Sequence, residues 1–313
     1  MAASTGLIIG SCVSLQFGAA LAVQLFPALG SWGVTALRLS IAAIVVLVAV
    51  RPRIARWSRD QWIAVTAFGL ALGAMNGFFY ASLERIPLGA AVAIEFLGPL
   101  VLAAFLTRRM LDVAWVGVAL AGMALLGVDS AMGSGSLDPL GVAFALVAAG
   151  FWALYIRTSA RVGRVIPGMG GLAIALLIAS VALLPFGVPA VGVVAADPRL
   201  LALAVGTALL ASVVPYTLEL MALRRLPQRV FGVLLSLEPV VAAAAGWLLL
   251  GQQAGPLRLT AIALVVVASA GTALAARRSG EAVVGDAVAT PTGAIPLPPA
   301  RPAAGPSAGD ERG

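Results

Sequence analysis

The sequence contains no histidine and no lysine, a single cysteine, and few charges of either sign. Each absence removes a class of function. Without histidine there is no Ser-His-Asp triad, no imidazole general base and no histidine-based metal site. With Cys12 alone there is no intramolecular disulfide and no multi-cysteine metal cluster. A Gly-rich phosphate cradle of the Walker type is also missing, so energy is expected from a proton or solute gradient and not from ATP. No cofactor and no metal are expected. Charged residues make up 11% of the 313 and apolar residues 61%, against roughly 25% and 45–50% in a soluble globular protein. A water-soluble fold of this length could not hide that much apolar surface, so the natural solvent of the chain is lipid.

Most of the arginines sit in short connections between apolar runs. All 20 basic residues are arginine, and the formal net charge is +7. A basic balance can indicate nucleic acid, but arginines between long apolar runs orient helices in a membrane instead, and no nucleic-acid partner is expected. Cut at charges and turn residues, the apolar runs are 6–26, 33–50, 61–83, 88–106, 113–129, 139–156, 168–187, 199–222, 230–250 and 257–276. Each is in or close to the range of about 17–25 residues that crosses the hydrocarbon. The first basic residue is Arg38, so the N-terminus lacks the charged start of a signal peptide and 6–26 reads as a retained first helix. Nearly every face is apolar, so periodicity does not separate lipid-facing from buried sides.

The arginine census then gives an orientation. With the N-terminus in the cytoplasm, inward connections hold fourteen: Arg51, Arg53, Arg56, Arg59; Arg108, Arg109; Arg157, Arg161, Arg164; Arg224, Arg225, Arg229; Arg277 and Arg278. Outward connections hold three: Arg85, Arg199 and Arg258. The bias predicts ten spans with both termini cytoplasmic. Residues 277–313, rich in Pro, Gly and Ala, read as a disordered cytoplasmic tail.

A duplication is visible by eye. SLERIPLGAAVAIEFLGPLV (82–101) aligns with ALRRLPQRVFGVLLSLEPVV (222–241) at a constant offset, matching Leu83 to Leu223, Arg85 to Arg225, Pro87 to Pro227 and Pro99 to Pro239. The fold expected is all-α membrane, ten transmembrane helices as two inverted five-helix repeats, 1–136 and 137–276. Five helices per copy is odd, so the second copy enters from the opposite side, and such repeats place a binding site near the midplane at their interface. Pro99 and Pro239 are the predicted helix breaks, each freeing a carbonyl one turn earlier, at Glu95 and Leu235.

Charges within spans are costly, roughly 2.5–3.5 kcal/mol each on insertion scales, and mark function by default. Glu95 and Glu238 lie deep and beside the two prolines, where a carboxylate suits the binding and release of a proton or a substrate ammonium; satisfying a freed carbonyl is the structural alternative. Arg38 suits a substrate carboxylate or one of the glutamates, or else snorkels to the outer interface. Gln16, Asn76 and Tyr216 are deep enough to line a polar pathway, or to hydrogen-bond between helices. Trp152 and Tyr155 wall a pocket or belong to an interfacial belt. Glu84 and Arg85, flanking Pro87, read as an interface pair.

Three stretches carry a resemblance: GVTALRL at 33–39, IPLGAAVAIEFLGPL at 86–100 and PYTLELMALRRLPQRVFGVLLSLEP at 215–239. Together with the two opposed copies, they resemble the drug/metabolite transporter superfamily in its EamA-type branch, most of all its inner-membrane amino-acid exporters, over residues 6–276. The resemblance implies secondary export of small neutral amino acids, threonine- or homoserine-like, in exchange for protons, across a bacterial cytoplasmic membrane. It puts Arg38, Glu95 and Glu238 on motif positions without assigning their roles. Other readings of the same residues stay open: export of another metabolite or a lipophilic cation, an intramembrane enzyme using the carboxylates for acid–base work, or a channel.

Overall fold

The computed structural model describes residues 2–107, 110–131, 137–215, 218, 235–253 and 255–275. Tyr216, Arg108, Arg109, Arg224, Arg225, Arg229 and the Pro-rich tail lie outside them. The described residues are helical throughout, joined by short turns. The helices are α1 (Ala2–Val50), α2 (Arg59–Leu83), α3 (Leu88–Glu95), α4 (Leu97–Thr107), α5 (Met110–Ala131), α6 (Pro139–Val165), α7 (Gly170–Ala182), α8 (Leu184–Ala196), α9 (Pro198–Ala208), α10 (Glu238–Leu250) and α11 (Pro256–Ala275). A one-turn 3-10 helix, Ile54–Arg56, precedes α2, and a π-turn, Leu209–Val213, continues α9.

Helix starts follow from their caps. Ser58 and Gln61 form a reciprocal capping box on α2. Asp138 and Asp197 each accept a backbone N–H at the starts of α6 and α9, and each is followed by proline at the first helical position. At the start of α3 the cap comes from elsewhere in the chain: the Gln252 Oε1 accepts the Leu88 N–H at 3.0 Å. Gly251, left-handed at φ 64°, ends α10 just before it.

α1, α2 and α6 are each long and apolar enough to cross a bilayer, and α7 with α8, bent by 81° at Leu183, makes a fourth if taken as one span. α1 is too long for one crossing. At 1.5 Å per residue it would extend about 74 Å, against a hydrocarbon core of roughly 30 Å. It is interrupted at Gly30 (φ 66°, ψ 160°), three residues after Pro27, so it consists of two arms. The expected runs 6–26 and 33–50 are those arms. The expected run 88–106 is the broken pair α3–α4. The run 168–187 ends differently: the chain bends at Leu183 and stays helical to Ala196, where the sequence pointed to a loop. Pro185 starts the new helix, since a residue lacking its N–H fits the first turn.

Small residues let the helices approach closely. A Cβ on Gly18 would lie 2.6 Å from the Ala211 backbone nitrogen, one on Gly89 2.8 Å from the Ala243 Cα, and one on Gly98 would land on the Ala149 carbonyl. These contacts join α1 to the π-turn, α3 to α10 and α4 to α6. α2 packs on α6 and α7, and α5 on α11.

Ion pairs mark both ends of the α2–α6 contact. Arg161 pairs with Asp60 at one end, and Arg85 with Asp138 at 2.8 Å at the other. The Arg85 side chain and the Leu140 N–H hold the Asp138 carboxyl below the usual aspartate range. Glu84 does not pair with Arg85: its Oε1 accepts the Ser31 N–H at 2.7 Å, at the first turn of the second arm of α1, where a helix N-terminus favours negative charge. Arg258, read from sequence as a loop arginine, is instead buried, 4% exposed near the start of α11.

Candidate functional site

One cavity of about 80 Å³ collects most of the polar residues singled out from the sequence. Gln16 reaches it from the first arm of α1 and Arg38 from the second. Asn76 and Tyr80 come from α2, Glu95 from the last residue of α3, Trp152 from α6, and Glu238 from the first residue of α10. Both halves of the chain therefore contribute. Of the six polar residues expected to bind substrate or proton, five line this space; the sixth, Tyr216, is outside the described residues, although its neighbour Pro215 lines the wall. Tyr155 is fully buried but is not part of the lining; its ring lies 5.2 Å from that of Phe68.

α3 stops at Glu95 and α4 starts at Leu97, with Pro99 in its first turn. α10 starts at Glu238 with Pro239 next, after a turn at Ser236–Leu237. Each carboxylate is thus carried at a helix end inside the packed molecule, Glu95 at 9% exposure and Glu238 at 4%.

Arg38 does not snorkel. It is 4% exposed, and its Nη1 donates to the Ala211 carbonyl at 3.0 Å. Its Nη2 donates to the Asn76 Oδ1, while the Asn76 Nδ2 donates to the Leu72 carbonyl at 2.9 Å. The guanidinium carbon lies 4.7 Å from the centroid of the Tyr80 ring, a cation–π arrangement. One side chain therefore ties the second arm of α1 to α2 and to the π-turn. The same turn is held from the first arm, where Ser14 Oγ donates to the Leu210 carbonyl at 2.8 Å.

Four polar atoms on cavity residues have no hydrogen-bond partner among the described residues: Gln16 Oε1, Arg38 Nε, Tyr80 Oη and Trp152 Nε1. A buried polar group left unsatisfied costs about 1–3 kcal/mol. All four belong to side chains that line this one space. No cluster of three or more metal-ligating side chains occurs among the described residues.

The rest of the wall is apolar. Leu15 and Ala19 (α1), Met75 and Phe79 (α2) and Val92 (α3) complete it. Nothing in the sequence marks these out from the many other apolar helix positions. The Ala211 carbonyl is a further functional group that sequence could not reveal, because backbone polarity is set by the local turn.

Residues 139–274 match the EamA-like transporter family. The chain is similar to the threonine/homoserine exporter RhtA of Escherichia coli (strain K12), 37% identical over 275 residues, covering 88% of this chain and 92% of that protein. It is similar to the protein of the same name from Salmonella typhimurium (strain SL1344), 39% identical over 265 residues, covering 85% and 89%. A solved crystal structure aligns with a TM-score of 0.51 at 21% identity, over 90% of this chain and 100% of the other, a likeness of fold alone. Apolar helices packed around a polar cavity, and this level of identity along most of the sequence, make the chain a helical membrane transporter and no enzyme: it belongs to the EamA-like transporter family.

Proposed function

We propose that the protein is a proton-coupled secondary exporter of small neutral amino acids of the threonine or homoserine kind, acting in a bacterial cytoplasmic membrane with both termini inside. One observation carries the reading: Arg38, Glu95 and Glu238, on three different helices, converge on a single cavity. A zwitterion needs a cation for its carboxylate and an anion for its ammonium, and a proton carrier needs a carboxylate within reach. The names of the similar proteins supply the substrate class.

In this reading the substrate carboxylate takes the Arg38 fork in place of the neutral Asn76 amide, exchanging a weaker acceptor for a charged one. Glu238 takes the ammonium and Glu95 the proton. Ten spans in two inverted repeats remain the expected topology. The packing supports it: α2 lies on α6 and α9 on α1, while α5–α11 and α3–α10 pair between the two proposed repeats. Alternating access then opens the cavity to one side at a time, by movement of helix groups that each draw on both repeats, since ion pairs tie α2 of the first repeat to α6 of the second.

The test is counterflow in proteoliposomes loaded with an amino-acid panel, run with and without a pH gradient. Threonine and homoserine exchange, faster with the gradient, is the expected result. Preference for lipophilic cations over zwitterions would overturn the assignment, because a cation site should not face the Arg38 guanidinium. Ohmic conductance without saturation would make the protein a channel.

A further inference from the structure

We infer that Gln16 and Trp152 form a hydroxyl-reading subsite in the cavity, which selects hydroxylated amino acids over aliphatic ones of the same size. This rests on the exporter reading above and goes beyond it to how the cargo is told apart from its isosteres. With the carboxylate assigned to Arg38 and the ammonium and proton to the glutamates, the cavity still holds polar groups that have nothing to bind. Tyr80 Oη belongs to the carboxylate end, since its ring lies under the guanidinium. That leaves Gln16 Oε1 and Trp152 Nε1, both without a partner among the described residues, on side chains 2% and 5% exposed.

Their chemistry is complementary. An indole N–H can only donate, and an amide oxygen can only accept. A hydroxyl does both, so one seated between the two side chains would satisfy the pair at once. A methyl group in the same place satisfies neither, and valine differs from threonine in just that way. A pocket that relies on shape alone discriminates weakly between such isosteres. One that leaves buried polar groups unpaired around the wrong substrate discriminates strongly.

The donor is also held in place. The Trp152 ring meets the Phe96 ring edge-on, centroids 4.9 Å apart at 90°, and Phe96 follows Glu95 directly in the chain. The contact holds the indole against the residue that follows Glu95. Nearby lining residues such as Leu15, Met75 and Val92 offer a hydroxyl no side-chain partner. If the Gln16 amide turns over, it presents Nε2 in place of Oε1, and a hydroxyl pairs with either.

The experiment is threonine counterflow in proteoliposomes, with unlabelled threonine and valine as competitors. Wild-type protein should favour threonine over valine by more than about tenfold. Trp152→Phe keeps a ring against Phe96 and removes only the N–H; Gln16→Met keeps length and removes the amide. Each should cut the threonine-to-valine preference about tenfold, and thermal unfolding in detergent identifies a variant that fails to fold. A wild-type preference that survives both substitutions, or a wild-type protein with no preference, overturns the subsite and leaves the exporter reading standing. Failure of the wild type to exchange any hydroxylated amino acid overturns both.

Discussion

Glu95 closes α3 and Glu238 opens α10, so the two carboxylates stand at opposite poles of their helices. A helix carries partial positive charge at its start and partial negative charge at its end. Negative charge is therefore favoured at Glu238 and opposed at Glu95, and the two should not substitute for each other. Glu238→Gln should weaken amino-acid binding at least tenfold, a change equal to about 1.4 kcal/mol, while transport still responds to a pH gradient. Glu95→Gln should bind substrate but lose the response to the gradient. Binding by scintillation proximity and uptake at two external pH values separate the outcomes; identical behaviour of the two variants would defeat the assignment. Both glutamates stand out in the sequence because a charge in an apolar run is rare. Arg38 stood out equally, but its partners did not. The Ala211 carbonyl lies far along the chain, and no pattern of side chains records where a backbone oxygen points.

At the level of elements, Pro99 and Pro239 each lie in the first turn of a helix. The α3–α4 break lies just before Pro99, and α10 begins just before Pro239. The π-turn at Leu209–Val213 was not legible, since it lies within apolar sequence where every face looks alike; the bend at Leu183 did carry a signal, Pro185, hidden by the continuity of the apolar run around it. The division of α1 depends on Gly30. With φ 66° and ψ 160°, this residue occupies backbone space that side chains with a Cβ avoid. Nothing lies within 4 Å of where its Cβ would stand, so strain and not collision decides the outcome. Gly30→Ala should destabilise the protein by about 1–3 kcal/mol, read as an earlier thermal unfolding transition in detergent. An unchanged transition would mean that the two arms can join by another backbone route.

For the whole molecule, the ion pairs at both ends of α2 and α6 bear on how the transporter moves. A gate must open on one side while the other is shut, yet these two helices are tied at both ends, by Arg161–Asp60 and Arg85–Asp138. α2 and α6 should therefore travel as one body. In a Cys12→Ser background, short thiol cross-linkers between positions 85 and 138, or between 60 and 161, should leave exchange intact; loss of exchange with either would show that the pair separates during transport. Acid should not release the Arg85–Asp138 tie in the working range. A carboxyl held below its usual pKa contributes stability above the ordinary aspartate range and loses it only as pH falls through the lowered value.

The contact between Glu84 and the Ser31 N–H reaches further than its position suggests. Ser31 begins the second arm of α1, and Arg38 lies seven residues on, about 10 Å along the same axis at 1.5 Å per residue. The arm is a ruler with its zero mark at Glu84, and the depth of the guanidinium in the membrane is measured from there. A substitution at the molecule's rim can thus detune the cavity without touching it, by moving the origin from which the site is surveyed.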